Sequence, residues 1–299
     1  MTMRRVRFLW VLTAALLPWA WNLAAQQAKV KVYISADMEG IAGVVDETQT
    51  NPTGRDYALG RRLMTAEVNA AIAAAFDAGA TEVLVNDSHW DQTNLQPDTL
   101  DRRATLISGA PKPYGMMQGL DGSFAAVIFI GYHARGSTQD AVIDHTFSDQ
   151  PKVVKLNGKP VGEYGLNAAL AGDYGVPVVF LSGDSAVAEQ AREFIPGVEA
   201  LAVKEGIGRT AARTMHPEEA REKIAAGIRA GMARREKIRP VRLDHPVTLE
   251  VELASSRQAD SAMMVPGMKR ISDRVVSYEA PDMAAAYRVM RLITRLAGG

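Results

Sequence analysis

Ten residues, Lys31-Val-Tyr-Ile-Ser-Ala-Asp-Met-Glu-Gly40, restrict this chain more than any other stretch. β-Branched and aromatic residues run into Asp37 and Glu39 and stop at a glycine, the pattern of a buried strand with a polar end. Alternate residues of an extended chain share a side, so the two carboxylates face one point. With no cation beside them at that end they repel each other, and a divalent metal ion is the usual relief. The alternative reading makes both acids loop residues that open the next turn.

The pattern that follows is α/β. Met64, Val68, Ile72, Ala75 and Phe76 recur at helical spacing between about Tyr57 and Ala78, and Gly79 ends that helix. Glu82–Asn86 reads as a second strand, which makes a right-handed crossover between parallel strands. A short strand over 104–108 and a strongly apolar one over 124–131 continue the sheet; the second strand exits into Asn86-Asp-Ser-His89 and the apolar one into Tyr132-His133. The carboxyl ends of parallel strands lie on one edge, where open α/β sheets place their ligands.

Asn157-Gly158 predicts a hairpin, Gly162-Glu163 opens a helix, and strand–helix–strand follows to about residue 203. After that the rhythm changes to strands with one polar face and amphipathic helices. The expected architecture is therefore an α/β fold with a three-layer core around a largely parallel sheet over 26–204, plus a smaller C-terminal α+β lobe over 205–299.

The first 25 residues stand apart. Arg4, Arg5 and Arg7 precede the apolar run from Phe8 to Trp21, and Asn22-Leu-Ala-Ala25 follows, which predicts a secretory signal peptide cleaved after Ala25. The run is too short for a membrane span and Pro18 interrupts it, so no stable insertion is expected after cleavage, and a periplasmic or otherwise secreted location is. Without the leader the chain keeps 31 basic against 34 acidic residues, and no basic surface for nucleic acid is indicated. The absence of cysteine excludes disulfides, thiolate metal sites and a cysteine nucleophile.

Asp37, Glu39, His89, His133 and Glu163 together supply three carboxylates and two imidazoles, donors suited to Zn²⁺. Five ligands exceed what one catalytic zinc needs and fit two Zn²⁺ per chain with one carboxylate bridging. Two such cations, three carboxylates and one hydroxide make a neutral cluster. His145, twelve residues beyond His133, reads as a metal ligand, a general acid/base, an oxyanion donor or a structural histidine. His216 and His245 each precede a proline, and a surface role is expected for both.

The segments Ser35-Ala-Asp-Met-Glu-Gly-Ile-Ala-Gly43, Asn86-Asp-Ser-His89, Gly131-Tyr-His-Ala-Arg135 and Gly162-Glu-Tyr-Gly-Leu-Asn167 resemble the motifs of the zinc D-aminopeptidase family, from about Val30 to Ala297. The resemblance implies the same five metal ligands, a catalytic role for His145, and release of the N-terminal residue from short D-amino-acid peptides such as D-Ala-D-Ala. It also implies a ring-like homodecamer with the metal sites facing an internal chamber. Two other readings remain open at this point: a two-metal hydrolase of another ester or amide, and an exported dipeptide-binding protein.

Overall fold

The computed structural model describes residues 29–298, so the leader read over 1–25 lies outside the described residues. Twelve strands and seven helices follow one another: β1 (Lys31–Ala36), α1 (Glu47–Thr50), α2 (Tyr57–Asp77), β2 (Glu82–Asp87), β3 (Thr105–Ile107), β4 (Ala126–Tyr132), β5 (Pro151–Leu156), β6 (Lys159–Val161), α3 (Glu163–Asp173), β7 (Val178–Asp184), α4 (Ser185–Phe194), β8 (Glu199–Gly208), β9 (Ala211–Thr214), α5 (Pro217–Ala233), β10 (Val247–Leu253), α6 (Ser256–Ala262), β11 (Lys269–Arg270), β12 (Val275–Ala280) and α7 (Met283–Ala297).

Seven strands form the main sheet in the order β3-β2-β1-β4-β7-β8-β9, parallel throughout except for β9, which returns against β8. Period-2 alternation divides each central strand between two cores. Val32, Ile34 and Ala36 of β1 join Ile128 of β4 and Phe180 of β7 on one face, where Met64, Val68 and Ile72 of α2 meet Ile224, Ile228 and Met232 of α5. Tyr33, Val127, Phe129 and Leu181 point the other way, onto Leu166 and Leu170 of α3, Val187 of α4 and Tyr287, Met290 and Ile293 of α7. Every residue of β4 and β7 is buried, as expected of middle strands covered on both faces. Burying each large side chain contributes about 1.5–3 kcal/mol.

The second sheet is antiparallel, in the order β11-β12-β10-β5-β6. Its strands do not respect the expected boundary at residue 205. β8, β9 and α5 continue past that point as parts of the main core, while the β5–β6 hairpin comes from before it. The reason is apolar pairing: Val154 and Leu156 of β5 sit opposite Val251 and Leu249 of β10, so the hairpin buries its inner face only by joining strands about ninety residues away. α3 and α7 then lie between the two sheets' apolar faces, which brings the C-terminal helix beside the carboxyl ends of the parallel strands.

Candidate metal centre

Parallel register delivers the site. Ala36 at the end of β1 pairs with Asp87 of β2 and Ile130 of β4, so the residues just beyond these three tips emerge side by side. The β1 and β4 exits are then tied together, with the Asp37 N–H donating to Ile130 O at 2.8 Å and the Gly40 N–H to Gly131 O at 2.7 Å. Both glycines are required there. A Cβ on Gly40 would run into the Tyr132 carbonyl, and one on Gly131, whose φ is +72°, would run into the Asp37 carbonyl. Asp37 and Glu39 thus come from the β1 exit, His89 from β2, His133 from β4, and Glu163 from the first turn of α3, where the helix dipole favours a carboxylate.

All five side chains are buried and meet. His89 Nδ1 lies 3.0 Å from Glu39 Oε2 and 3.3 Å from Asp37 Oδ1; His133 Nε2 lies 3.5 Å from Asp37 Oδ2 and 3.3 Å from Glu163 Oε2. The outer nitrogens fix the rings: His89 Nε2–H donates to Thr50 O at 2.9 Å and His133 Nδ1–H to Ala134 O at 2.9 Å. Each imidazole therefore turns its other nitrogen toward the carboxylates, the arrangement that orients histidine as a metal ligand. His145 stacks on His133 at 4.0 Å between ring centroids, with Nε2 3.7 Å from Glu163 Oε1 and Nδ1–H donating to Ile143 O at 2.9 Å. Its loop is strained on both sides, at Ile143 (φ +49°) and Phe147 (φ +60°), a conformation that β-branched and bulky side chains rarely adopt.

The electrostatics follow from burial and crowding. Burial and the Glu39 charge push Asp37 up to about 8, while Glu39 is held well below the carboxylate range because His89 outweighs burial. Burial works against charge on His133, yet Glu163 overrides it and raises the imidazole to about 10; His89 is likewise held well above its ordinary value, by Glu39 and Asp37. The same pairing lowers Glu163 against the effect of burial. His145 is pushed down by burial and by the His133 charge, so it is neutral where the other two histidines are not.

The donors fit divalent-cation binding. Asp37 Oδ2 and His133 Nε2 are buried without a hydrogen-bond partner, two of the four such side-chain atoms among the described residues, and they face each other. Asp37, Glu39 and His133 each place one donor atom within 4.8 Å of the others, and so do His133, His145 and Glu163. The two triads share His133. A sign for the pH dependence follows. Without metal, Asp37, His89 and His133 hold protons at neutral pH, and they bind a cation only after losing them, so metal binding expels protons and tightens as pH rises through about 8, where Asp37 titrates, and on toward about 10, where His133 does. Competition with a chelator at pH 6, 7 and 8 should show affinity rising by about tenfold per pH unit for each proton displaced; a flat profile would contradict this.

The cleft above the cluster has a volume of about 370 Å³ and is also lined by Thr50, Trp90, Phe147, Arg209 and Arg291. A further set of charged groups holds the ligand loops from beneath, and the sequence pattern missed it. Lys204, buried in β8, donates to the carbonyls of Glu39, Ile41 (3.1 Å) and Val44, while Glu67 of α2 accepts the Ala42 N–H at 2.8 Å. Burial lowers Lys204 to about 8 and raises Glu67 to about 7. Lys112 secures the β2 exit through Asn86 Oδ1 at 2.6 Å and Asp87 O at 2.7 Å. The signal for Lys204 was a lysine directly after the apolar run Ala200-Leu-Ala-Val203. His216 caps α5 and His245 pairs with Asp173 at 3.1 Å, neither with any part in the cluster.

An α/β fold whose parallel-strand tips gather carboxylates and imidazoles into one buried cluster defines a metallohydrolase class of site. The D-aminopeptidase family profile matches residues 30–292. A D-aminopeptidase of Bacillus subtilis (strain 168) is 40% identical over 269 residues, covering 90% of this chain and 98% of the relative. A solved structure of a Zn-dependent D-aminopeptidase from Bacillus subtilis, described as a self-compartmentalizing protease, superposes with a TM-score of 0.88 at 40% identity, over 90% of this chain and 98% of that one. The chain belongs to the D-aminopeptidase family. Membership in a family of peptidases sets aside the solute-binding alternative.

Proposed function

We propose that the protein is an exported aminopeptidase holding two Zn²⁺ per chain on Asp37, Glu39, His89, His133 and Glu163, and that it removes the N-terminal residue from short D-amino-acid peptides such as D-Ala-D-Ala. The observation that carries this reading is the meeting of five buried donors from four separate segments, with two donor atoms left without protein partners. When bound, divalent zinc supplies Lewis acidity for the scissile carbonyl and lowers the pKa of the attacking water.

The chain's own residues do the rest. The three carboxylates set a negative floor that balances the cations, and the Thr50 and Ala134 carbonyls keep the two ligand imidazoles in the right tautomer. His145 is the residue left to move protons. Its Nδ1–H is fixed on Ile143 O, so Nε2 faces the cluster with a lone pair, and its side chain is the most exposed of the six at 18%. That atom takes a proton from the attacking water and passes it to the leaving amine.

The leader over 1–25, ahead of the first residue matched by the family, supports export. Among the described residues no helix is long and apolar enough to cross a membrane. A homo-oligomer enclosing the sites, of ten chains by resemblance, is supported by the self-compartmentalizing description of the Bacillus subtilis relative, and exposed Ile207, Met264 and Ile271 offer apolar contact area.

Metal analysis of the purified protein should give about two zinc per chain, and EDTA should abolish release of D-alanine from D-Ala-D-Ala until zinc is returned. Full activity in a chelated, zinc-free sample would refute the metal role. Equal rates on D-Ala-D-Ala and its L-isomer would refute the stereochemical one.

A further inference from the structure

We propose that Arg291 forms a subsite for the free C-terminal carboxylate of the substrate, so that the enzyme selects short peptides with an unblocked end. The inference deepens the aminopeptidase reading and rests on it. Arg291 comes from α7 and lines the same 370 Å³ space as Asp37, Glu39, His89, His145 and Glu163.

Its guanidinium is held in place without being neutralised. Cζ lies 5.5 Å from the centroid of the Phe147 ring, on which it stacks. The other side is against Gly115, where a Cβ would come within 3.0 Å of Cζ. Phe147 is itself anchored to the cluster, since its N–H donates to Glu163 Oε1 at 2.5 Å. One residue therefore links the guanidinium to a proposed metal ligand.

Charge pairing singles Arg291 out. Arg209, the other arginine lining this cleft, is matched by Glu47 at 2.6 Å, Asp149 at 2.9 Å and Asp144 at 3.5 Å. Lys112 is occupied by Asn86 and Asp87. Among the described residues, none of the ion pairs involves Arg291. A fixed fork of N–H donors in a partly enclosed cleft, with no internal acid to satisfy it, matches a carboxylate arriving with the substrate. The cleft volume sits at the small end of ligand sites, and each added residue moves a peptide's terminus by about 3.3–3.6 Å. The match is therefore to a short peptide rather than a long chain.

The bare packing role, in which Arg291 only covers Phe147, makes a different prediction: its loss would affect all substrates alike. The zinc-loaded full-length protein should be assayed on D-Ala-D-Ala, on the same dipeptide as its C-terminal amide, and on D-alanine p-nitroanilide. The free acid should be preferred over the amide by roughly tenfold to a hundredfold in kcat/KM, the size of a charge-assisted bidentate contact. In Arg291→Gln that ratio should fall about tenfold or more, mainly through KM for the free acid, and Arg291→Lys should restore part of it. An unchanged ratio in Arg291→Gln, or a wild-type protein that does not distinguish acid from amide while cleaving the p-nitroanilide, overturns the subsite alone. Cleavage of none of the three substrates overturns the aminopeptidase reading, and the subsite with it.

Discussion

Glu163→Ala is expected to strip the protein of most of its zinc and to lower turnover by more than a hundredfold. Glu163 does three things at once: Oε2 faces His133 Nε2, Oε1 accepts the Phe147 N–H, and its charge offsets two neighbouring imidazoles. Removing it leaves a buried imidazole without its counter-charge, which costs about 3–5 kcal/mol when one partner of a buried pair is lost. Loss of a supporting partner around a metal typically costs 10–100-fold in affinity or activity, and a direct anionic ligand costs more. Glu163→Gln separates the roles, because it keeps an oxygen for the Phe147 N–H while deleting the charge. Zinc content and melting temperature, measured on both variants, check the expectation: Gln should keep the fold and still lose metal. Full zinc occupancy in the Ala variant would remove Glu163 from the ligand set.

His145→Ala is expected to behave in the opposite way, with kcat falling by roughly 10²–10⁴ while zinc stays bound. The side chain stacks on His133 and reaches the edge of the cluster, yet it is the half-buried member, neutral, with one nitrogen fixed on a backbone carbonyl. Those are the properties of a proton carrier. The triad of His133, His145 and Glu163 also has ligand spacing, so metal content is the measurement that decides. If zinc is lost along with turnover, His145 is a ligand and the proton must travel elsewhere.

The gathering of these side chains was more legible in the sequence than the way their scaffold divides. Apolar runs that end abruptly in Asp37-Met-Glu39, Asn86-Asp-Ser-His89 and Tyr132-His133 mark strand exits, and in a parallel sheet all exits share an edge, so local pattern was enough to gather those donors. The partition into sheets was not local. Nothing within residues 151–161 states that Val154 and Leu156 will face Val251 and Leu249, because that pairing is decided by which apolar surfaces remain uncovered once the main sheet has formed. Arg291 was hidden for a related reason. On an amphipathic helix it reads as one more solvated cation, and only the packing of α7 against α3 turns it toward the cleft. Lys204 could be noticed as an oddity in β8, but its three carbonyl partners belong to a loop about 160 residues earlier.

That lysine also bears on how the centre tolerates being emptied. The turn carrying Asp37 and Glu39 is clamped by an ammonium, by the Glu67 carboxylate and by backbone bonds to β4, all of them independent of any ion. Any cation held there would therefore be a tenant of a finished chamber and not the keystone of its arch. Exchange of one divalent metal for another should proceed in the folded protein, leaving the peptide scaffold as the part that sets which coordination geometries are accepted.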